Sequence, residues 1–415
     1  MTETVNIETK IPPKVVNILQ IAGELAAKQG HNLYLVGGVV RDLILGSNIS
    51  DFDLMVEGDA IHLAQRLAEV TQTELTTHAR FKTARVTWTK WNFDLATARS
   101  ETYDRPGALP KVKPGSLEND LFRRDFTINA MALELNPQRY LQLVDLYGGR
   151  EDLGKGLVRV LHEMSFIDDA TRIWRGIRYE QRLNFQIEEE TLKLLQRDVP
   201  MLDTISGDRM RHELELVFEE ECPHKIIGRA EELGVLIKIH PAFKDGGWLA
   251  DKIGRARNLT LPNLKLPVLY MSLLAYRLNI QECEELISYL RPTRSTARVM
   301  RETISLASTL GNLDKADLPP SQAYNLLCGY SLPVIMANYL AGESYVANRH
   351  LYSYVTRYRF VKPSLTGNTL KKMGIAPGPE MKEILERLRA ARLDRIVTSR
   401  TDEEELVRQW REGIS

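Results

Sequence analysis

Residues 33–59 read LYLVGGVVRDLILGSNISDFDLMVEGD, and the fold turns on how that stretch is parsed. Leu33 to Val36 is a short apolar run, followed at once by Gly37 and Gly38 and then by a helical pattern from Val39 to Leu45. A strand that passes through glycines into a helix makes room for a phosphate. The missing Cβ atoms let it approach the backbone, and helix-start N–H groups point at it. Asp51 and Asp53 lie on the next predicted strand, Asp51 to Val56, and a spacing of two sends both carboxylates out of one face. Oxygen ligands so placed suit Mg2+, which keeps several waters and takes one or two carboxylates together with substrate phosphates. A solvated edge strand explains an isolated DxD equally well. Two glycines, then Arg41-Asp42, then DxD is the more specific combination.

On the N-terminal side, Pro12 to Gly30 opens on proline, carries Val15, Ile18, Leu19, Ala22, Leu25 and Ala26 at helical spacing and ends on glycine, which predicts a helix. Beyond the opening stretch, Asp59 to Val70 has helical periodicity, and Arg85–Trp88 with Trp91–Ala96 predicts a hairpin turning at Thr89-Lys90. Asp94, in NFDLATAR, is a third carboxylate on a predicted strand. Placed beside the first pair it completes a two-metal site or accepts the proton of an attacking hydroxyl; otherwise it is an ordinary strand-edge aspartate. Thr127 to Leu135 is apolar enough for a further strand or a buried helix. This alternation predicts an α+β domain to about residue 160. From there Ala170–Phe185, Glu188–Arg197 and Arg209–Phe218 carry helical periods, and the rest reads as helix. The predicted division is 1–162, 163–225, 226–345 and 346–415.

The 415 residues are 43% hydrophobic and 27% charged, ordinary for a globular protein, with no low-complexity tract. No stretch approaches the length of a membrane span and the first residues lack a signal-peptide pattern, so a cytoplasmic protein without membrane partners is expected. Cys222, Cys283 and Cys328 are too scattered for disulfides or zinc and are expected to be core thiols. With 55 basic and 55 acidic residues, any polyanion must be met by local asymmetry. From Arg349 to Arg400 twelve cations, Lys371 and Lys372 among them, stand against four carboxylates. That excess attracts a polyanion or forms a solvated helix face.

GGVVRD with DFD is followed by RRDFTINAMA (Arg123–Ala132), LVDLYGGREDL (Leu143–Leu153) and SGDRMRHEL (Ser206–Leu214). In that order they are similar to the first, second, third and fifth motifs of a known family, so that from Leu33 to Leu216 the chain resembles the class II tRNA nucleotidyltransferases, which add C and A to tRNA 3′ ends, and the related bacterial poly(A) polymerases. The fourth reads DDATR here, Asp168 to Arg172, where the family usually begins with Glu. Asp169 and Arg172, three apart, are expected to share a helix face. A carboxylate accepts and a guanidinium donates, which complements an amino group beside a ring nitrogen, as on cytosine and adenine. The resemblance assigns these two residues that template role; an ion pair on a solvated helix is the plain alternative.

The resemblance further implies a polymerase-β-like nucleotidyltransferase head with a small mixed sheet, followed by all-α neck, body and tail domains. It implies Mg2+ at Asp51 and Asp53, catalysis by these and Asp94, and a nucleotide held by Gly37, Gly38, Arg41, Arg123, Arg124, Asp125 and Asn129. SLTGNTLKKMGIAPGP (Ser364–Pro379) is similar to the family's tail motif, which implies tRNA contact by Lys371 and Lys372. The implied partners are a tRNA 3′ end with ATP and possibly CTP. FDLATARSETYDRPGALPKVKPGSLENDLFRRDFTINAMA and MVEGDAIHLA look closest to A-adding members, which implies a separate CC-adding enzyme for the same tRNA. Full CCA addition, CC addition and poly(A) synthesis are the alternatives.

Overall fold

The computed structural model describes residues 11–47, 49, 51–102, 105, 107, 110–244 and 246–413. Helix α1 (Pro13–Lys28) buries Val15, Ile18, Leu19, Ala22 and Ala26. It packs on strand β1 (Asn32–Val36). A Cβ on Gly23 would stand 1.9 Å from the Leu135 carbonyl oxygen, so α1 reaches that backbone only through glycine. Next come α2 (Gly38–Leu45), β2 (Asp51–Glu57) and α3 (Ala60–Thr71). Asp59 caps α3 by accepting from the Ile61 and His62 N–H groups. Then follow β3 (Glu74–His78), β4 (Thr83–Trp88) and β5 (Trp91–Thr97). The expected hairpin forms, closed by Trp88 opposite Trp91 with Thr89 at φ 54°.

A small ladder of β6 (Arg99–Thr102) and β7 (Lys111–Pro114) precedes α4 (Leu117–Phe122), β8 (Met131–Glu134) and β9 (Leu143–Asp145). The apolar stretch from Thr127 is therefore split, a 3-10 turn over Thr127–Asn129 and then β8. Thr127 and Asn129 donate side-chain bonds to Asp152 and Asp125, which holds this backbone in a turn. Among the described residues, seven strands form one mixed sheet in the order β3-β4-β5-β2-β1-β8-β9. Within this sheet only the β2/β5 pair is parallel, and the other ladders are antiparallel. Gly148 (φ 75°) turns the chain into α5 (Gly149–Lys155), and Gly149 lies against Thr127, whose carbonyl oxygen would be 2.2 Å from a Cβ there. Helices α6 (Ser165–Asp168), α7 (Thr171–Leu183), α8 (Glu189–Asp198) and α9 (Gly207–Glu219) follow.

The chain divides into two compact units, Met1–Glu213 with Glu232–Lys238, and Leu214–Glu231 with Ile239–Ser415. The second is helical, and its most buried helices are Leu266–Tyr276 and Leu332–Ala341. Toward its C-terminal end a smaller core gathers Leu365, Leu370, Ile375, Ile384, Leu388 and Val407. Glu403, fully buried, accepts the Ser364 and Leu365 N–H groups and pairs with Arg392. Of the three expected core thiols only Cys283 is buried, and burial pushes it up to about 11. Cys222 is half-buried, and Cys328 is exposed because it sits just past the end of the helix Pro320–Leu327. Among the described residues no helix is long and apolar enough to cross a membrane.

Candidate active site

The parallel ladder aligns Asp51 with Asn92 and Asp53 with Asp94. Alternation along β2 leaves both its aspartates exposed and turns Phe52 inward, stacked on Phe93 at 5.3 Å. Asn92 Nδ2 donates to Asp51 Oδ1 (2.9 Å). Asp94 thus stands beside the first pair, as its functional reading required. Its two oxygens, however, accept from Nε and Nη2 of Arg85 (2.7 and 2.8 Å), which faces it from β4. That pairing takes one lone pair of each oxygen and leaves the remaining ones open. Although Asp53 is exposed at the cleft surface, the protein packed around it strips away part of its hydration and pushes its carboxyl above its usual range. Arg124 opposes the rise, and Asp94 and Asp51 add to it. A carboxylate crowded by its own kind is a fitting place for a divalent cation. Among the described residues no cluster of three or more His, Cys, Asp or Glu forms a ready-made metal site, so a cation here would take further ligands from water and phosphate.

Opposite the carboxylates stands a bank of arginines. Asp120, almost wholly buried, accepts from Arg123 (2.7 Å) and Arg124 (3.0 Å), and Arg123 also meets Glu101 at 3.3 Å. Burial raises the Asp120 carboxyl, but Arg124 and Arg123 together bring it below its usual range. Asp120 therefore stays charged and holds both guanidiniums in place. Gly37, at φ 83°, takes part in this packing, because a Cβ there would lie 2.4 Å from Arg124 Nη1. A cleft of about 640 Å3 is lined by Asp53, Arg85, Asp94, Arg99, Arg123 and Arg124. A second of about 510 Å3 shares Asp53, Arg99, Arg123 and Arg124 and adds Gly38, Asp169 and Arg172.

Arg41 lies deeper, 3% exposed, than its expected role implies. Its Nη1 donates to Asn129 Oδ1 (2.6 Å), Asn129 Nδ2 donates to Asp125 Oδ1 (3.0 Å), and Asp125 Oδ2 accepts both Nε and Nη2 of Arg175. Arg41 and Arg175 also lie against the Tyr179 ring, at 5.0 and 5.7 Å. Asp125 and Asn129 line the second cleft from within this network. Burial raises the Asp125 carboxyl, yet Arg175 and Asn129 hold it below the ordinary range.

The expected shared helix face of Asp169 and Arg172 is not what forms. Asp169 is extended (φ −143°, ψ 100°) between α6 and α7, because its Oδ1 accepts the Thr171 N–H and Oγ (3.0 and 2.7 Å), an Asx turn that interrupts the helix. The same oxygen pairs with Arg209 from α9 at 2.6 Å. Arg172, 5% exposed, donates to Ser165 Oγ (2.7 Å) and to the Arg123 carbonyl (2.6 Å). The two side chains nonetheless line one cleft. Asp168 stands 3.9 Å from His162.

Sequence reasoning overlooked Arg85, Arg99, Asp120 and Arg175. Arg85 was within reach, since counting back three residues on each side of the Trp88–Trp91 closing pair places it opposite Asp94. Arg175, three residues beyond Arg172 on an amphipathic helix, gave no local signal. In the second unit Lys371 and Lys372 end the short helix Gly367–Lys372, exposed and without an ion pair among the described residues. Other cations of that run are spent internally, Arg392 on Glu403, Arg400 on Glu404 and Arg389 on the Tyr324 hydroxyl.

Residues 33–159 match the poly A polymerase head domain, and residues 184–246 match the probable RNA and SrmB-binding site of polymerase A. The chain is 34% identical over 410 residues to the A-adding tRNA nucleotidyltransferase of Geobacter sulfurreducens, covering 95% of this chain and 47% of that one. Over 227 residues it is 43% identical to the A-adding tRNA nucleotidyltransferase of Halalkalibacterium halodurans, 53% of each chain. The matched region spans about half the length of each of these curated relatives. A solved structure, the Thermotoga maritima CCA-adding enzyme complexed with tRNA CCA, superposes with a TM-score of 0.83 at 30% identity over 99% of both chains.

Proposed function

Because this chain belongs to the family of tRNA nucleotidyltransferases and poly(A) polymerases, we propose that it transfers a nucleotide from a triphosphate to the 3′ end of tRNA, and that the nucleotide is A. The observation that carries the reading is the β2/β5 register, which sets Asp53 beside Asp94 on the wall of a cleft lined also by Arg123 and Arg124, with Asp51 two residues from Asp53 on the same strand face. The A-adding relatives support the choice of base.

In this reading the triphosphate lies along Arg123 and Arg124, whose forks suit phosphate oxygens and which Asp120 holds in place. Gly37 and Gly38 leave room beside them for the backbone to approach. The 3′ oxygen of the tRNA bonds to the α-phosphorus while the bond to the bridging oxygen breaks, and pyrophosphate departs. Asp51 and Asp53 would hold Mg2+, which lowers the cost of forming the attacking alkoxide and of charge on the leaving group. Asp94 takes the hydroxyl proton on a lone pair that Arg85 leaves free. Asp169 and Arg172 offer an acceptor and a donor to the base, positioned by Arg209 and by Ser165. Residues 1–162 act as catalytic head, 163–225 as base-reading neck and 226–345 as body. Residues 346–415 form a tRNA-binding tail, with Lys371 and Lys372 on the phosphates, and the location is cytoplasmic.

Single-turnover extension of three tRNA transcripts, ending at the discriminator base, at C and at CC, tests this with CTP and ATP offered separately and together. The expected result is one A added to the CC-ending tRNA only, which calls for a separate CC-adding enzyme. Extension of all three to CCA replaces this reading with full CCA addition, and long A tracts on unrelated RNA replace it with poly(A) synthesis.

A further inference from the structure

The second unit carries a cleft of about 780 Å3 that the transfer chemistry leaves unused. One wall is cationic. Trp248, at the start of the helix Trp248–Arg257, stacks on Tyr276 at 5.9 Å and carries Arg277 over its ring at 4.1 Å and Lys252 at 5.9 Å. The indole thereby fixes two flexible cations before any ligand arrives. The facing wall is aromatic. On the helix Tyr345–Thr356, Tyr345, Arg349 and Tyr352 follow one another at i, i+4 and i+7 and so share a face. Tyr345 is 81% exposed and Tyr352 53%, with Tyr339 of the helix Leu332–Ala341 tilted against Tyr352 at 5.9 Å.

Rings left so open contribute little to a core, and their helix already buries Ala347, Leu351 and Val355 on its other side. The charge around the cleft narrows the choice of ligand. Lys252 and Arg255 share Asp251, at 3.4 and 3.1 Å. Arg277 and Arg349 form no ion pair among the described residues, and Glu343 is the opposing carboxylate in the lining. Open tyrosine faces beside arginines that carry no ion pair among the described residues suit an unstacked base whose phosphates meet the cations.

We infer that this cleft is a subsite for unpaired nucleotides of the RNA partner, with Tyr345 and Tyr352 stacking on bases and Arg277 and Arg349 holding the adjoining phosphates. The inference rests on the RNA-directed reading above and extends it to a second contact remote in sequence from the catalytic motifs. It is tested on the full chain by fluorescence anisotropy with labelled tRNA, a hairpin with a single-stranded loop, and a blunt duplex with no unpaired base. The double variant Tyr345→Ala/Tyr352→Ala is expected to weaken tRNA and the loop hairpin about tenfold or more. It should barely change the duplex, and Tyr345→Phe/Tyr352→Phe should restore affinity because stacking does not need the hydroxyls. Arg349→Ala should lower the slope of log affinity against log salt by about 0.7 to 0.9.

Affinity for tRNA within twofold of the unchanged chain in the alanine variant overturns the inference. So does equal competition by heparin, a polyanion without bases, in the unchanged and alanine variants. A chain that binds the loop hairpin through these tyrosines yet extends no tRNA refutes the transfer reading and keeps the cleft. Extension of tRNA with binding indifferent to the tyrosines refutes the cleft and keeps the transfer reading.

Discussion

Asp53 and Asp125 are both carboxylates in the head, shifted in opposite directions by their neighbours. Asp53 is destabilised as an anion by loss of hydration in its cleft and by Asp94 and Asp51. Its folded value lies above its unfolded one, so its ionisation opposes folding increasingly as pH rises through that interval. Asp53→Asn should therefore abolish nucleotide incorporation while leaving the thermal midpoint at pH 7 unchanged or higher. A lower midpoint by calorimetry would contradict the charge crowding. Asp125 has the reverse sign. Its carboxyl is depressed, so it contributes stability above the ordinary carboxylate range, about 3.9, and loses it as pH falls through the lower folded value. Removing its partner by Arg175→Ala leaves a buried charge and should cost about 3 kcal/mol. In denaturant titrations that deficit should shrink below about pH 4; a pH-independent deficit would assign Arg175 a packing role only.

Among the elements, the hairpin and the strand–glycine–helix junction were legible because each is fixed by local rules. Two tryptophans flank a two-residue turn, and glycines sit where the backbone must turn and admit Arg124. What escaped the sequence were contacts between elements distant in the chain. Asp169 reads as helical from its spacing to Arg172, but a threonine two residues on captures its carboxylate, and Arg209 draws it toward α9. Gly23 also looked like ordinary helix interior, although it marks the point where α1 meets the Leu135 backbone. Gly23→Ala should raise intrinsic helix propensity and still lower stability, by about 1 to 3 kcal/mol from overpacking. An increase in the denaturation midpoint would show that α1 can move off the sheet without cost.

Over the whole molecule, 55 cations balance 55 carboxylates, so the proposed RNA binding rests on which cations remain uncommitted. Lys371→Ala/Lys372→Ala should lower the magnitude of the salt slope of tRNA binding by up to about 1.8, from two phosphates of roughly 0.7 to 0.9 each. An unchanged titration would assign those lysines to solvent. The tail around them depends on Glu403, fully buried against Arg392 and two backbone N–H groups.

The place of β1 in the sheet has a consequence for synthesis. It lies between β2, made just after it, and β8, which begins only at Met131. Chains emerge at roughly 5–20 residues per second, so β1 waits on the order of seconds for its second neighbour. In that interval Asp51, Asp53 and Asp94 have left the ribosome ahead of Arg123 and Arg124. On the proposed reading, a nascent head thus displays Asp51, Asp53 and Asp94 before Arg123 and Arg124 exist, and cannot hold a triphosphate between them until α4 and the turn after it have joined the sheet.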